Sequence, residues 1–337
     1  MTARPQVVVT NRCFEETEDL LSEACRVTVN RQEEPWPHDE VIERCREADA
    51  VMVFMTDLVD QRFLDECRHL EIIGAALKGY DNIDVGAATR AGVWVTIVPD
   101  LLTVPTAELA IGLTIALSRK MLVGDHRIRD HGFHGWRPSL YGMGLAGRTV
   151  GIVGFGAVGR AIAGRLGGFG AKLLACDTAE VPPPQAATAE VEIVPLAELV
   201  READFVILAM PLTPATTMMF DAGLIACMKP GAYLVNPARG SLVDEAAVAD
   251  ALGSGHLAGY AADVFACEDW ARPERPSGID PGLLATRAAT VLTPHLGSAV
   301  SDVRKLIERS AAESILEALT GRRPRHAINS PRAATAR

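Results

Sequence analysis

RTVGIVGFGAVGRAIAGRLGGFGAKLLACD, residues 148–177, packs a β-branched run, three spaced glycines, a helical stretch and a second apolar run into thirty positions. Its order predicts strand, tight turn, helix and strand, the unit from which doubly wound parallel sheets are built. Gly154 allows the turn, Gly156 lets a pyrophosphate approach the backbone, and Gly159 permits close packing of the helix on the strand. The helix start at Ala157 and Val158 then offers amide donors and the positive end of the helix dipole to an anion. Asp177 closes the second strand, where a carboxylate can bond the adenosine ribose hydroxyls and repel a 2′-phosphate. The stretch therefore predicts a dinucleotide site that takes NAD, and NADP more weakly. Thr178 and Ala179, which follow, supply no arginine for a 2′-phosphate.

The same alternation extends on both sides. PQVVVT, DAVMVF, EIIGAAL and GVWVTI read as strands in the first hundred residues, with HDEVIERCREA and DQRFLDECR as helices between them. After the glycine motif come ADFVILAMP, GAYLVNPA, LAGYAADVF and ATVLTPH as further strands, then SDVRKLIERSAAESILEALTG as a long amphipathic helix. The PPP-containing stretch 181–191 reads as a surface loop. PDLLTVPTAELAIGLTIALSRK predicts a helix capped by Thr103 or Thr106, with Glu108 in its first turn. That helix is apolar on nearly every side but too short to span a membrane, which points to burial on both faces or a dimer surface.

At 337 residues the chain exceeds a comfortable single core. A net charge of −10 argues against a general nucleic-acid surface. Seven dispersed cysteines without a C-x-x-C pair read as reduced thiols, and no metal-ligand spacing appears. The N-terminal stretch lacks the apolar run of a signal peptide, so a cytoplasmic protein is expected.

Three polar residues sit just past predicted strands, where open α/β sheets bind ligands: Arg239 in NPARGSLVDE, Glu268 in DVFACEDW and His295 in TPHLGS. Arg239 offers a planar fork of donors to an oxyanion. His295 suits proton transfer near neutrality, and Glu268 can orient it. Asp263, in AADVF, is a rival partner for the histidine.

DNID, GIVGFGAVG, NPARGSLVDEAAV, GYAADVF-x-x-E and TPHLGS occur in the order and spacing of the D-isomer-specific 2-hydroxyacid dehydrogenases, and the chain resembles that family. The resemblance implies two Rossmann-like domains, with an NAD-binding domain (101–292) inserted into a discontinuous flavodoxin-like substrate domain (1–100 and 293–330) and a tail at 331–337. It implies an active site of Arg239, Glu268 and His295 in the cleft between them, cofactor contacts from Pro211 and Asp263, and a homodimer.

Departures from the common family pattern narrow the substrate. Lys78 precedes the G-x-DNID turn where an uncharged residue is usual, and Asp269-Trp270 follows the glutamate where proline is usual. With FMTDLVD, ALKGYDNID, GVWVTIVPDLLTVPTAELAIGL, GYAADVFACEDWAR and TPHLGSAVSDVR, these stretches resemble the phosphonate (phosphite) dehydrogenase branch. That resemblance implies Lys78 as a catalytic-site cation, with Met55, Trp136, Tyr141, Trp270, Ser298 and Arg304 in the substrate pocket. It implies oxidation of phosphite to phosphate by NAD and water, with His295 the expected base. Converging cations suit so small an anion, which offers no carbon side chain to grip. A D-2-hydroxyacid dehydrogenase acting on glycerate, lactate or a similar acid is the alternative. A non-enzymatic NAD sensor resembling the C-terminal-binding corepressors is a third reading, against which the short tail weighs.

Overall fold

A computed structural model describes residues 4–98, 100–178 and 190–331. The loop expected at 181–191 and the tail expected at 331–337 lie almost wholly outside the described residues. Two all-parallel sheets account for the strands. In the first, β1 (Gln6–Val9), β2 (Arg26–Val29), β3 (Ala50–Val53), β4 (Ile72–Ala75) and β5 (Trp94–Thr96) lie in the order β2-β1-β3-β4-β5. This is the flavodoxin-like order. The second sheet contains β6 (Thr149–Val153), β7 (Lys172–Cys176), β8 (Val191–Ile193), β9 (Phe205–Leu208), β10 (Ala232–Asn236), β11 (Leu257–Ala262) and β12 (Thr290–Leu292). Its order is β12-β11-β10-β9-β6-β7-β8, a doubly wound sheet.

The chain divides into two compact units, Met1–Leu102 with Trp270–Pro273 and Val300–Arg337, and Thr103–Asp269 with Glu274–Ala299. Residues 293–299 fall in the second unit, not with the first as the resemblance implied. The reason is local: Asp263, just beyond β11, accepts Thr293 Oγ1 (2.6 Å), Leu296 N (2.7 Å) and Gly297 N (2.8 Å).

Each sheet is buried on both faces, which is why its strands read as near-continuous apolar runs. Val8 of β1 enters one core with Val51, Ile73 and Val95, while Val7 and Val9 enter the opposite one with Ile307, Ala311 and Ile315. Those last three belong to the helix Ser301–Leu319, which returns the chain to the first unit. Gly74 makes that return possible, since a Cβ on it would lie 2.6 Å from Cγ1 of Ile315.

One face of the helix Thr103–Ser118 packs in the second unit, where Ala107, Ala110, Leu113 and Leu117 share a core with Val150, Ile152 and Tyr233. The other face keeps Val104, Glu108 and Gly112 exposed and Ile115 and Ala116 half-buried. The expected caps do not form: Thr103 is its first residue, Thr106 Oγ1 donates to the Gly297 carbonyl (3.3 Å), and Glu108 reaches Arg165 from the second turn. Further exposed apolar residues stand beyond it, at Met121, Leu122, Ile128 and Phe133. Among the described residues, no helix is long and apolar enough to cross a membrane.

Candidate active site

At the end of β6 the chain turns through Gly154, whose φ of +93° is costly for any residue with a Cβ. A Cβ there would also lie 2.6 Å from the Ala209 carbonyl oxygen, and one on Gly159 would overlap the Gly154 carbonyl. Gly156, by contrast, faces no protein atom within 4 Å of where a Cβ would stand. It precedes the helix Ala157–Leu166, whose N-terminus receives no side-chain cap. The first-turn amides of Ala157, Val158 and Gly159 thus meet the requirements of a pyrophosphate cradle. Asp177, exposed at the end of β7, accepts the Phe155 amide (2.6 Å), which sets its carboxylate beside that cradle. These residues fit a dinucleotide. Pro211 is exposed three residues beyond β9, and its carbonyl accepts Thr216 Oγ1 at 2.8 Å.

Arg239, Glu268 and His295 follow the adjacent strands β10, β11 and β12, so the spacing of a parallel sheet brings their turns side by side. His295 Nδ1 lies 2.9 Å from Glu268 Oε2, and Glu268 Oε1 accepts the Phe265 amide at 2.9 Å. An ionised carboxylate only accepts, so the proton of that bond sits on Nδ1 and leaves Nε2 to exchange a proton with substrate. Both side chains are about a quarter exposed, at 26% and 28%. Arg239 is half-buried, its Nη1 donating to the Ala238 carbonyl (2.8 Å) while Asn236 Nδ2 holds the Arg239 carbonyl (2.8 Å).

His295 occupies the left-handed region, with φ +56°. A non-glycine residue there is strained and persists only where its surroundings fix it. Asp263 fixes it. Its backbone carbonyl accepts the His295 amide (2.8 Å), and its carboxylate takes three donors from the same loop. Asp263 is fully buried, and burial raises its carboxyl above the usual range, with the three hydrogen bonds and His295 opposing. Glu268, not Asp263, is the histidine's partner. Asp263, expected among the cofactor contacts, has its carboxylate bonded to the histidine's loop.

The remaining expected residues are placed as follows. Ser298 is buried in that loop, next to Gly297. Trp136 and Tyr141 are 76% and 71% exposed on the second unit. Trp270 is half-buried. Within the first unit, Met55 packs on the core beside β3, and Lys78, two residues past Ala76, is half-buried at 3.3 Å from the exposed Asp100. Arg304 is a buried guanidinium donating to the Ala76 carbonyl (3.3 Å) and paired with Glu308 (3.6 Å), and burial lowers its pKa.

Two groups of polar residues have tasks that the sequence did not disclose. Asp57 Oδ2 accepts Thr10 Oγ1 and the Phe54 amide (2.6 Å), while Asn82 Nδ2 binds the carbonyls of Phe54 and Asp57 (3.2 and 2.7 Å). This network ties the Met55 turn to the turn after Lys78. Glu245 and Asp269 do a similar thing beneath the triad. FMTDLVD and DNID were visible as motifs, but nothing in either marks which amide a carboxylate will face.

The chain is similar to known proteins over most of its length. Residues 111–297 match the model of the D-isomer specific 2-hydroxyacid dehydrogenase NAD-binding domain. The chain is 35% identical over 331 residues to a glyoxylate reductase of Pyrococcus furiosus, covering 97% of this chain and 96% of that one. It is 38% identical over 291 residues to a D-3-phosphoglycerate dehydrogenase of Mycobacterium bovis, covering 86% of this chain and 53% of the relative. A crystal structure of a Thermus thermophilus protein superposes with a TM-score of 0.85 at 33% identity, covering 96% of this chain and all of that one.

Proposed function

The chain belongs to the D-isomer specific 2-hydroxyacid dehydrogenase family and is one of its NAD-dependent oxidoreductases, and from that premise we propose that its preferred substrate is phosphite, oxidised to phosphate. Bound at the glycine turn, NAD supplies the hydride acceptor. The chain's own residues do the rest. Arg239 grips two oxygens of the anion through its fork and fixes the direction of the P–H bond. His295 takes, on Nε2, the proton of the water that attacks phosphorus, while Glu268 holds the imidazole in the required tautomer. A P–H bond breaks, a P–O bond forms, and one proton is left on the protein.

Lys78 carries the choice of phosphite. The family pattern places an uncharged residue there, and phosphite brings up to two charges that Arg239 alone does not match. Lys78 is held only loosely in place, since a 3.3 Å pair with a largely exposed carboxylate is worth little and an incoming anion can displace it. The resemblance to the phosphonate dehydrogenase branch assigns it to the same substrate as the triad.

The second reading is a D-2-hydroxyacid dehydrogenase or glyoxylate reductase, with Arg239 on the substrate carboxylate and His295 exchanging the hydroxyl proton. The compared relatives favour it more directly, since their names include glyoxylate reductase and none is a phosphonate dehydrogenase. Their force is limited by their own diversity, because relatives at 35% and 38% identity carry names for two different substrates. We also propose a homodimer, whose contact surface we place on the open face of the helix Thr103–Ser118 and the exposed apolar residues Met121, Leu122 and Ile128 that follow it.

The deciding experiment is a side-by-side assay of the purified chain. NADH formation with phosphite, matched by phosphate release, is expected, together with at least a tenfold rise in KM for phosphite in Lys78→Ala. Turnover of glyoxylate or a D-2-hydroxy acid with no NADH from phosphite would establish the second reading instead.

A further inference from the structure

Asp269 stands immediately after Glu268, where the family pattern places proline. It is 3% exposed, and its Oδ2 accepts the backbone N–H of Ser241 at 2.7 Å. Ser241 in turn lies two residues after Arg239, in the short 3-10 turn Gly240–Leu242. The opposing turn, Ala266–Glu268, carries the histidine's partner. The two turns touch through their backbones, because a Cβ on Gly240 would overlap the Phe265 carbonyl carbon and the Ala266 amide. Glu245 closes the arrangement from the other side, accepting the Ala266 N–H (2.8 Å) and the Asp280 N–H (3.1 Å).

A carboxylate removed from water costs free energy unless donors compensate, and a bond from a buried amide to it is of the stronger, charge-assisted kind. Proline at 269 would offer no acceptor to Ser241, so the cross-link depends on a residue that departs from the common family pattern. We infer that Asp269 is a positioning residue, bonding the Arg239 turn to the Glu268 turn and so fixing the anion fork relative to the His295–Glu268 pair. This rests on the triad assignment above and not on the choice between phosphite and a hydroxy acid.

The test compares the full wild-type chain with Asp269→Ala, Asp269→Pro and Asp269→Asn. Kinetics are read on whichever of phosphite or glyoxylate the wild type turns over, alongside NAD binding and thermal unfolding. A misplaced fork weakens the anion and its transition state, so Ala and Pro should lower kcat/KM about tenfold or more, mostly through KM, with NAD affinity within about twofold. Asn keeps an oxygen that can accept the Ser241 N–H, and should fall between, roughly threefold below wild type. Wild-type kcat and KM in Ala and Pro would overturn the inference, whatever happens to their melting temperatures. So would a loss that appears equally in NAD binding. Should Ala and Pro fail to fold, wild-type kinetics in Asn would overturn it alone. Failure of phosphite turnover in the wild type would remove the substrate reading while leaving this comparison intact on glyoxylate.

Discussion

Replacing Asp263 by asparagine tests whether His295, the base proposed above, is held by a strained loop. The carboxylate takes two donors on Oδ1, from Thr293 Oγ1 and the Leu296 amide, and one on Oδ2, from the Gly297 amide. An asparagine oriented to keep the first two turns its NH₂ toward the Gly297 N–H, donor against donor. One hydrogen bond to a charged group is lost, about 1.5–3 kcal/mol, and a buried amide is left without an acceptor, about 1–3 kcal/mol more. Against this, the buried charge disappears, and burial already raises the carboxyl of Asp263. The net loss of stability is about 2–4 kcal/mol. The left-handed backbone of His295 stores about 1–2 kcal/mol, so the weakened restraint is comparable with the strain it opposes. The loop then relaxes, and a shift of about 1 Å at the histidine costs about a hundredfold in turnover. Chemical denaturation and steady-state NADH kinetics measure both effects. Stability within about 0.5 kcal/mol of wild type, or a kcat/KM within about threefold, would show that Asp263 does not hold the histidine.

Two further outcomes follow from buried or exposed carboxylates. Burial raises Asp57 to about 6, so the folded chain binds its proton more tightly than the unfolded chain does. Its contribution is full at low pH and is lost as pH rises through about 6, a swing of about 3 kcal/mol between about pH 4 and pH 6. Wild type should therefore lose about that much relative to Asp57→Asn over this window, and parallel denaturation curves for the two proteins would refute it. Asp177→Ala removes the carboxylate beside the glycine turn and should raise the ratio of NADP to NAD use at least tenfold in kcat/KM. An unmoved ratio would take Asp177 away from the ribose.

What could be read from the sequence tracks what burial imposes on it. β1, β3, β4, β6 and β9 to β11 are covered on both faces, so their composition is apolar at almost every position and the strands are visible. β2, RVTV, is an edge strand with no fully buried residue, and it carries no such pattern. The helix Thr103–Ser118 shows the converse ambiguity: an apolar surface all round does not say which face is buried, and the fold packs one face against Val150, Ile152 and Tyr233 while Val104 on the other stays exposed. Arg239, Glu268 and His295 each follow a strand, which alone singles out none of them, and it was the order and spacing of the motifs around them, through the family resemblance, that picked them out. Asp263 and Asp269 were seen as acids in the right neighbourhood, yet their tasks depend on which amides face them, and that is a property of the folded turns.

The triad is thus supported by turns that buried acids pin to one another, and this bears on how substrate choice is distributed in the family. Arg239, Glu268 and His295 sit past three neighbouring strands, and Asp263, Asp269 and Glu245 bind backbone amides of the turns around them. Such a frame sets the geometry of hydride and proton transfer but says little about what is oxidised. A fork and an imidazole serve a carboxylate with its hydroxyl as readily as a phosphorus oxyanion with its water. Discrimination must then come from residues outside the frame, and under the phosphite reading proposed above Lys78, a cation where the family pattern has an uncharged residue, supplies it. Relatives at 35% and 38% identity carry names for different substrates, as expected where the frame is shared and the residues around it are not.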